Sequence, residues 1–540
     1  MRPRTRYNSD MQFATTSNSN SAATVTALGP AELVELVGKQ SREIVNLRRQ
    51  VAWFQRQIFG QKSERRLLLP DAIQGYLGQD FSAVPEQPLP GKKSRVAAHE
   101  REAQPKQPRD GGDEAVLFFD ETKVPVKVIT VANPEIAGMD PADYEVIGEK
   151  VSYRLAQRPG AYEVLKYVRQ VTKRRDTQTL SCPLAPVGVI DGSRADVSFL
   201  AGMMIDKFVF HLPLYRQHRR LQDAGFRLSR SWLTTLSGQL VALLEPIYAA
   251  QLESIRASRV ITMDETGIKA GPTGTGKMKA AFFWPVYGER DEICFAYQPG
   301  RSGNDMKRAL GVDLPAGAVL LTDGYDVYAR YAKRIGLTHA QCWAHSRRYF
   351  YDAADVEPTK AAEALDLIGA LYKIEAQIRE QALSGEAKKQ HRVMHAKPIV
   401  EQFFAWVNKL FDAQGFLPSS PLTKALAYVR ERQEGLEVYL SDPDVPIDTN
   451  HIERALRVIP MGRRNWLFCW TELGARHVGI MQSLLATCRL HDIDPYDYLV
   501  DVLQRVGQHP AAKVQELTPR RWKELFAANP LRSDLYSPAT

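Results

Sequence analysis

The stretch from about 257 to 355 restricts the fold most, because its strands and helices follow an order that few architectures accommodate. RVITMDETGIKA, KAAFFWPVYG and EICFAYQ read as three strands joined by turns, a set that can close as a meander. SGNDMKRAL then reads as a short helix, and AVLLTDGY as a buried strand ending on Asp323. VYARYAKRI follows as a helix, THAQCW as a strand and AHSRRYFYDAAD as a helix. An unbroken apolar run such as VLL suits a strand with neighbours on both sides and layers on both faces.

Three strands able to form a meander, then alternating helix and strand, is the layout of a ribonuclease-H-like sheet. Between about 356 and 440 the chain holds amphipathic helices such as TKAAEALDLIGALYKIEAQIRE and IVEQFFAWVNKLFDA, which read as an insertion. The sheet domain resumes at IDTNHIERALRVIPMGRRNWLF and continues into the helix MQSLLATCRL. The expected partition is therefore 256–355 and 441–490 for a catalytic-type α/β domain, 356–440 for a helical insertion and 491–540 for a C-terminal helical region.

Upstream the sequence predicts a multidomain chain. Residues 1–29, rich in Ser, Asn and Thr and lacking the apolar core of a signal peptide, read as a disordered tail. Residues 30–67 predict one long helix. Leu33, Val37, Gln40, Ile44, Leu47, Val51, Phe54 and Ile58 form a heptad seam, so a self-associating coiled coil is expected, with packing inside the same chain as the alternative. Residues 68–113, with QPLPGKKSRVAAHEREAQPKQPRDGGD, read as a linker. VKVITV, YEVIGEKVSYRLAQ and YEVLKYVRQVTKRR make 114–185 a small β-rich module.

Residues 186–255 are helical, with the outline of a helix-turn-helix: Gly225 can close one helix and Ser229 or Ser231 can cap the next. Arg219, Arg220, Arg227 and Arg230 would then face DNA phosphates or bases. A helical hairpin with solvated arginines fits the same residues.

The formal charge of +9 and pI near 9.1 over 540 residues favour a polyanionic partner without requiring one. No run of eighteen apolar residues exists, so no membrane span is expected. Five scattered cysteines fit reduced thiols in a cytoplasm rather than a disulfide framework.

Metal-assisted phosphoryl transfer on DNA needs carboxylates that converge on divalent ions about 4 Å apart. Asp264 follows the apolar-rich VITM, and Asp323 ends VLLTD. On adjoining strands the two would meet at one edge of the sheet. Glu453 comes on a helix opening around Asp448–Asn450, amid Arg454, Arg457, Arg463 and Arg464. Each has a structural alternative: Asp264 and Glu265 a solvated pair, Asp323–Gly324 a turn, Asn450 and Glu453 a capping box. GPTGTGKM at 271–278 nearly spells a phosphate-binding loop. It has Met278 where Ser or Thr would ligate magnesium, and it leads into a strand, so it reads as a hairpin turn rather than as the loop of an ATP-driven motor.

These residues resemble transposases of the insertion-sequence 66 family, which belong to the DDE class. The matching pieces are FGQKSER, HLPLYRQ with LSRSWL, the DET of Asp264–Thr266, TDGYDVY, CWAHSRRYF, IDTNHIERALRVIPMGRRNWLF and GIMQSLLATCRLHDIDPYDYLVDVL. The resemblance implies a ribonuclease-H-like catalytic fold with a helical insertion, and Asp264, Asp323 and Glu453 as one catalytic, metal-binding triad. It implies two Mg²⁺ ions per site, with Mn²⁺ as a substitute.

It further implies DNA as partner, both transposon ends and target, contacted in addition by Arg347 and Arg348. A homodimer or higher assembly on DNA, accessory proteins of the same element, and a bacterial cytoplasm and nucleoid as location follow as expectations. Two departures stand out. Around 120–185 the family places paired cysteines that bind zinc, whereas this chain has only Cys182, so no zinc is expected there. After NWLF the family shows small residues where this chain has Cys469 and Trp470. A non-catalytic coiled-coil and helix-turn-helix DNA binder is the competing reading, and it needs none of the carboxylates.

Overall fold

The computed structural model describes residues 117–536 apart from 159, 272–277, 414–416, 467–468 and 470. The tail, the coiled-coil seam, the linker and nearly all of the phosphate-loop lookalike fall outside the described residues. Two compact units are present: residues 350–363 and 417–424 belong to one, and the rest of the described chain to the other. In the smaller unit the Thr423 hydroxyl, in the first turn of a helix, donates back to the Leu417 carbonyl at 2.8 Å.

The larger unit begins with a four-stranded sheet. Its strands are β1 (Val126–Val131), β2 (Tyr144–Arg158), β3 (Ala161–Arg174) and β4 (Leu180–Ser181). β2 and β3 form a long antiparallel hairpin, β1 joins β3 in parallel, and β4 extends the other end of β3. Three helices follow: α1 (Val197–Phe208), α2 (Leu214–Asp223) and α3 (Arg230–Arg256). Gly225, at φ +96°, turns the chain between α2 and α3, a conformation that costs a glycine little. The Ser229 hydroxyl caps α3 by accepting from the Trp232 N–H at 3.2 Å.

α3 is longer than a helix that only reads DNA. Leu233, Leu236, Leu240, Leu244 and Ile247 recur at helical spacing, and all are buried.

The second sheet comprises β5 (Val260–Met263), β6 (Thr266–Ala270), β7 (Lys279–Gly288), β8 (Glu292–Gln298), β9 (Val319–Thr322) and β10 (Thr338–Gln341). β7 pairs antiparallel with β8 along one edge and with β5 and β6 along the other. β5 and β6 are thus two segments of one strand line, interrupted at Asp264–Glu265. β9 runs parallel to β5, and β10 parallel to β9. Every residue of β5 and β9 is buried, as two-sided coverage demands.

The helices of this region are α4 (Gly303–Leu310), α5 (Asp326–Ile335), α6 (Trp343–Ala353), α7 (Pro358–Glu380), α8 (Gly385–His391), α9 (Lys397–Asp412), α10 (Pro421–Arg430) and α11 (Gln433–Ser441). The chain then continues through α12 (Asn450–Leu456), α13 (Val458–Trp466), α14 (Glu472–Leu490), α15 (Pro495–Arg505) and α16 (Pro519–Leu525).

α14 is buried on every side from Val478 to Cys488 because it packs against β8 and α3 at the centre of the unit. One continuous cluster of buried side chains joins the first sheet (Leu155, Val164), α1, α3, the second sheet (Phe283, Phe295), α14 and α15. The β-rich stretch therefore shares its core with the helices that follow it. Among the described residues, no helix is long and apolar enough to cross a membrane.

Candidate functional site

The interruption of the β5–β6 line places the candidate site. Val260, Ile261 and Thr262 pair with Val319, Leu320 and Leu321 in parallel register. Two further steps in that register set Asp264 opposite Asp323, just past the C-terminal ends of adjacent strands. Residues level on neighbouring parallel strands share a face and lie about 4.8 Å apart. The crevice beyond the carboxyl ends of parallel strands is where open α/β sheets hold ligands.

Asp264, Glu265 and Asp323 each offer a carboxylate oxygen, and these oxygens all lie within 4.8 Å of one another. The backbone fixes two of the groups. The Glu265 N–H donates to Asp264 Oδ1 at 2.7 Å, and the Tyr325 N–H donates to Asp323 Oδ1 at 3.0 Å, forming the turn that opens α5. Glu265, only 4% exposed, receives the Arg301 guanidinium and the Tyr328 hydroxyl.

Burial pushes the Asp264 carboxyl up to about 7, and the charges of Glu265 and Asp323 add to the rise while His345 opposes it. Glu265 is raised too, again chiefly by burial. A buried group of carboxylates that cannot all ionise cheaply is what a hard, oxygen-seeking cation would relieve, so the donor set fits Mg²⁺ or Mn²⁺. Among the described residues this is the one group of His, Cys, Asp and Glu side chains close enough together to hold a metal.

Glu453 lies outside that cluster. It sits in the first turn of α12, 43% exposed, with Oε1 at 3.7 Å from His345 Nε2. The capping-box alternative does not hold. The N-cap is Thr449, which makes no side-chain cap, and its hydroxyl donates instead to Cys342 Sγ at 3.3 Å. The Thr449 N–H reaches the same sulfur at 3.3 Å, and the Trp343 N–H bonds the Ile447 carbonyl at 3.1 Å. The start of α6 thus grips the start of α12, and His345, one turn into α6, meets both Glu453 and the field of Asp264.

Sequence reasoning passed over Glu265 and His345 as site residues. Strict alternation sends Glu265 to the face opposite Asp264, and only the strand break brings both carboxylates together. His345 stood within CWAHSRRYF, but a lone histidine early in a helix carries no spacing signal.

The arginines divide. Arg219, Arg227, Arg230, Arg347, Arg348, Arg454, Arg457 and Arg464 are exposed. Arg220 is engaged by Asp206 and by the Tyr162 hydroxyl, and Arg463 by the Gly267 carbonyl. Arg454 Nε also donates to the Asn450 carbonyl at 3.2 Å within its own helix. Cys469 exchanges backbone hydrogen bonds with the β6 end, its N–H to the Lys269 carbonyl at 2.9 Å. Cys182, the lone cysteine of the β-rich stretch, is an intermediate-exposure free thiol.

Comparison with known proteins gives three matches to family models. The model described as Transposase IS66 family matches residues 192–477, and the IS66 C-terminal element matches 483–520. Residues 46–114 match the model described as Transposase C of IS166 homeodomain. Among curated relatives, the uncharacterized proteins y4hP, y4jD and y4qI of Sinorhizobium fredii are similar to this chain. The first is 28% identical over 90% of each chain. The second is 27% identical over 91% of this chain and 97% of its own, and the third 27% over 94% of both.

Proposed function

The chain belongs to the IS66 transposase family, and from that premise we propose that it is a metal-dependent DNA-cleaving and strand-transferring enzyme of the DDE class. The observation that carries the reading is the convergence of Asp264 and Asp323, just past the ends of β5 and β9, with Glu265, their carboxylate oxygens all within 4.8 Å of one another. The strand order β8–β7–β5/β6–β9–β10, three antiparallel strands and two parallel ones, supports a ribonuclease-H-like catalytic domain. α7 to α11 stand between α6 and α12 as its helical insertion. Asp264, Asp323 and Glu453 are the triad.

Asp264 and Asp323 would hold the metal, with Glu453 completing the ligand set from α12. Glu265 has both oxygens engaged by Arg301 and Tyr328, so its role is to anchor the strand break. Divalent ions held there, two per site, would supply activation of the attacking oxygen and stabilisation of the leaving one. In cleavage a water oxygen bonds to phosphorus and the 3′ oxygen leaves. In strand transfer that 3′ hydroxyl attacks a target phosphodiester and releases a new 3′ oxygen.

The chain's own contribution is placement. The Asp264 and Asp323 carboxylates are held by backbone N–H groups of the following residues. α12 is held by Cys342 and Trp343, and His345 orients Glu453. Arg347, Arg348, Arg454 and Arg464, exposed on the helices that carry His345 and Glu453 and on α13, and Arg457 between α12 and α13, suit the phosphates of a bound strand. Arg219, Arg227 and Arg230 on α2 and at the entry to α3 add positional contacts. Partners are DNA and a second copy of the chain, since two element ends must be joined.

The test is nicking of DNA carrying the element's own ends in Mg²⁺, with Asp323→Asn as the inactive control. Equal nicking by the variant removes the reading.

A further inference from the structure

Beside Asp323 stands a column of planar groups for which cleavage chemistry has no evident use. Its base is Arg432, whose guanidinium donates to the Gly324 carbonyl and to the Tyr428 carbonyl, each at 3.0 Å. Gly324 permits this approach because it lacks a side chain: a Cβ there would lie 2.5 Å from the Tyr428 ring and 2.7 Å from Arg432 Nε. The same guanidinium lies over the Tyr428 ring, 4.1 Å from its centroid. Tyr349 stacks on Tyr428 with centroids 4.2 Å apart and planes 24° apart. Tyr428 is half-buried, whereas Tyr349 stays 41% exposed although one of its faces is covered.

Two features make this column more than packing. Cation–π contact and ring stacking hold Tyr349 in a set plane, so its open surface is presented with little further ordering cost. Its anchor is the residue next to Asp323, and Tyr349 lies on α6 directly after the exposed Arg347 and Arg348, one turn beyond His345. A ligand that brings phosphates to arginines and carboxylate-bound metal, and also carries a flat π face, is a nucleotide strand. Within a duplex both faces of a base are covered by its neighbours, so only a terminal or extruded base can stack on a side chain.

We propose that Tyr349, backed by Tyr428 and Arg432, is a stacking platform for the unpaired base at the DNA end being processed. The inference rests on the DNA-cleaving reading above and adds a subsite to it. Stacking is tolerant of base identity, so the platform would grip any terminal base and would leave sequence recognition to other surfaces.

The test is equilibrium binding of the full-length protein, in EDTA, to two fluorescent DNAs with the same element end. One is fully paired and the other has a short unpaired 3′ overhang. Stacking on an aromatic contributes about 1–3 kcal/mol per base, so Tyr349→Ala is expected to weaken overhang binding about 5- to 150-fold. Paired DNA should change by less than about twofold, and Tyr349→Phe and Tyr349→Trp should bind the overhang like the unaltered protein.

Should the alanine variant melt early, Tyr349→Leu keeps apolar bulk over Tyr428 without a π face and is expected to show the same selective loss. Overhang binding unchanged in both the alanine and leucine variants overturns the proposal. So does an equal loss on both DNAs, or a loss in Tyr349→Phe as large as in alanine. Because binding is read without metal, failure of the platform leaves metal-dependent cleavage by the unaltered protein standing. Failure of the cleavage reading would show instead as no nicking in Mg²⁺ with either DNA.

Discussion

Replacing Asp264 by asparagine should make the metal-free protein more stable while removing its response to metal. The carboxyl rises from 3.8 to about 7, mostly because it is buried and then because Glu265 and Asp323 are close. At 1.36 kcal/mol per pH unit, that rise corresponds to at most about 4 kcal/mol of cost for the ionised native state. The raised pKa means that the native state binds the extra proton between about pH 4 and pH 7. Stability therefore falls as pH rises through that window, and the full cost is present above it.

Asparagine has the same shape and no charge. Its advantage should be largest near pH 8, smaller at pH 5.5, and gone below about pH 4. The assay is thermal or denaturant unfolding in EDTA and in Mg²⁺ at pH 5.5 and pH 8. The unaltered protein should gain stability from Mg²⁺ at pH 8 and less at pH 5.5, where protons compete for the ligand. Asp264→Asn should be the more stable of the two in EDTA at pH 8 and gain little from metal. Equal stability of the two in EDTA at pH 8 would show that the Asp264 charge is already compensated, refuting the electrostatic reasoning.

Other outcomes follow from the same geometry. His345→Ala should lower cleavage and raise the Mg²⁺ concentration needed for half-maximal rate, while His345→Gln restores part of both, measured as metal titrations of nicking. Removing the partner of a buried ion typically costs about 3–5 kcal/mol. Glu375→Ala, which strips a two-bond partner from the fully buried Arg392, should destabilise by that much in denaturant melts. Arg227→Ala and Arg230→Ala should each reduce the salt dependence of DNA binding by about one in log–log slope, while Arg220→Ala, whose arginine is engaged by Asp206 and Tyr162, should alter stability more than slope. Charged residues at Ile44 and Val51 should dissociate the chain in sedimentation if the heptad seam joins two copies.

Much of the second sheet was legible because burial writes itself into short strands. VITM and VLLT, apolar but for Thr262 and Thr322, are buried along their whole length, which only a doubly covered central strand tolerates, and each is followed by an aspartate. Gly225 and Ser229 were legible as turn and cap because backbone geometry selects those residue types.

The rest depended on contacts between distant segments. Glu265 joins Asp264 because β5 breaks there, and nothing in DET marks a break. Asn450 and Glu453 looked like a capping box, but Thr449 is the cap position and turns its hydroxyl to Cys342, more than a hundred positions away in sequence. The core that the β-rich stretch shares with α1, α14 and α15 was not legible either, since alternation and helical spacing report local burial and not which surface covers it.

The central claim is that Asp264, Asp323 and Glu453 act as one metal-binding unit, and Glu453 is its most exposed member. The direct measurement is the rate of Mg²⁺-dependent cleavage of element-end DNA by Glu453→Gln, alongside its DNA affinity. The account predicts cleavage lost, affinity kept and the fold intact, because glutamine preserves the helix but offers metal a neutral, weaker ligand. Cleavage at the unaltered rate would contradict it, leaving Glu453 as no more than a partner for His345.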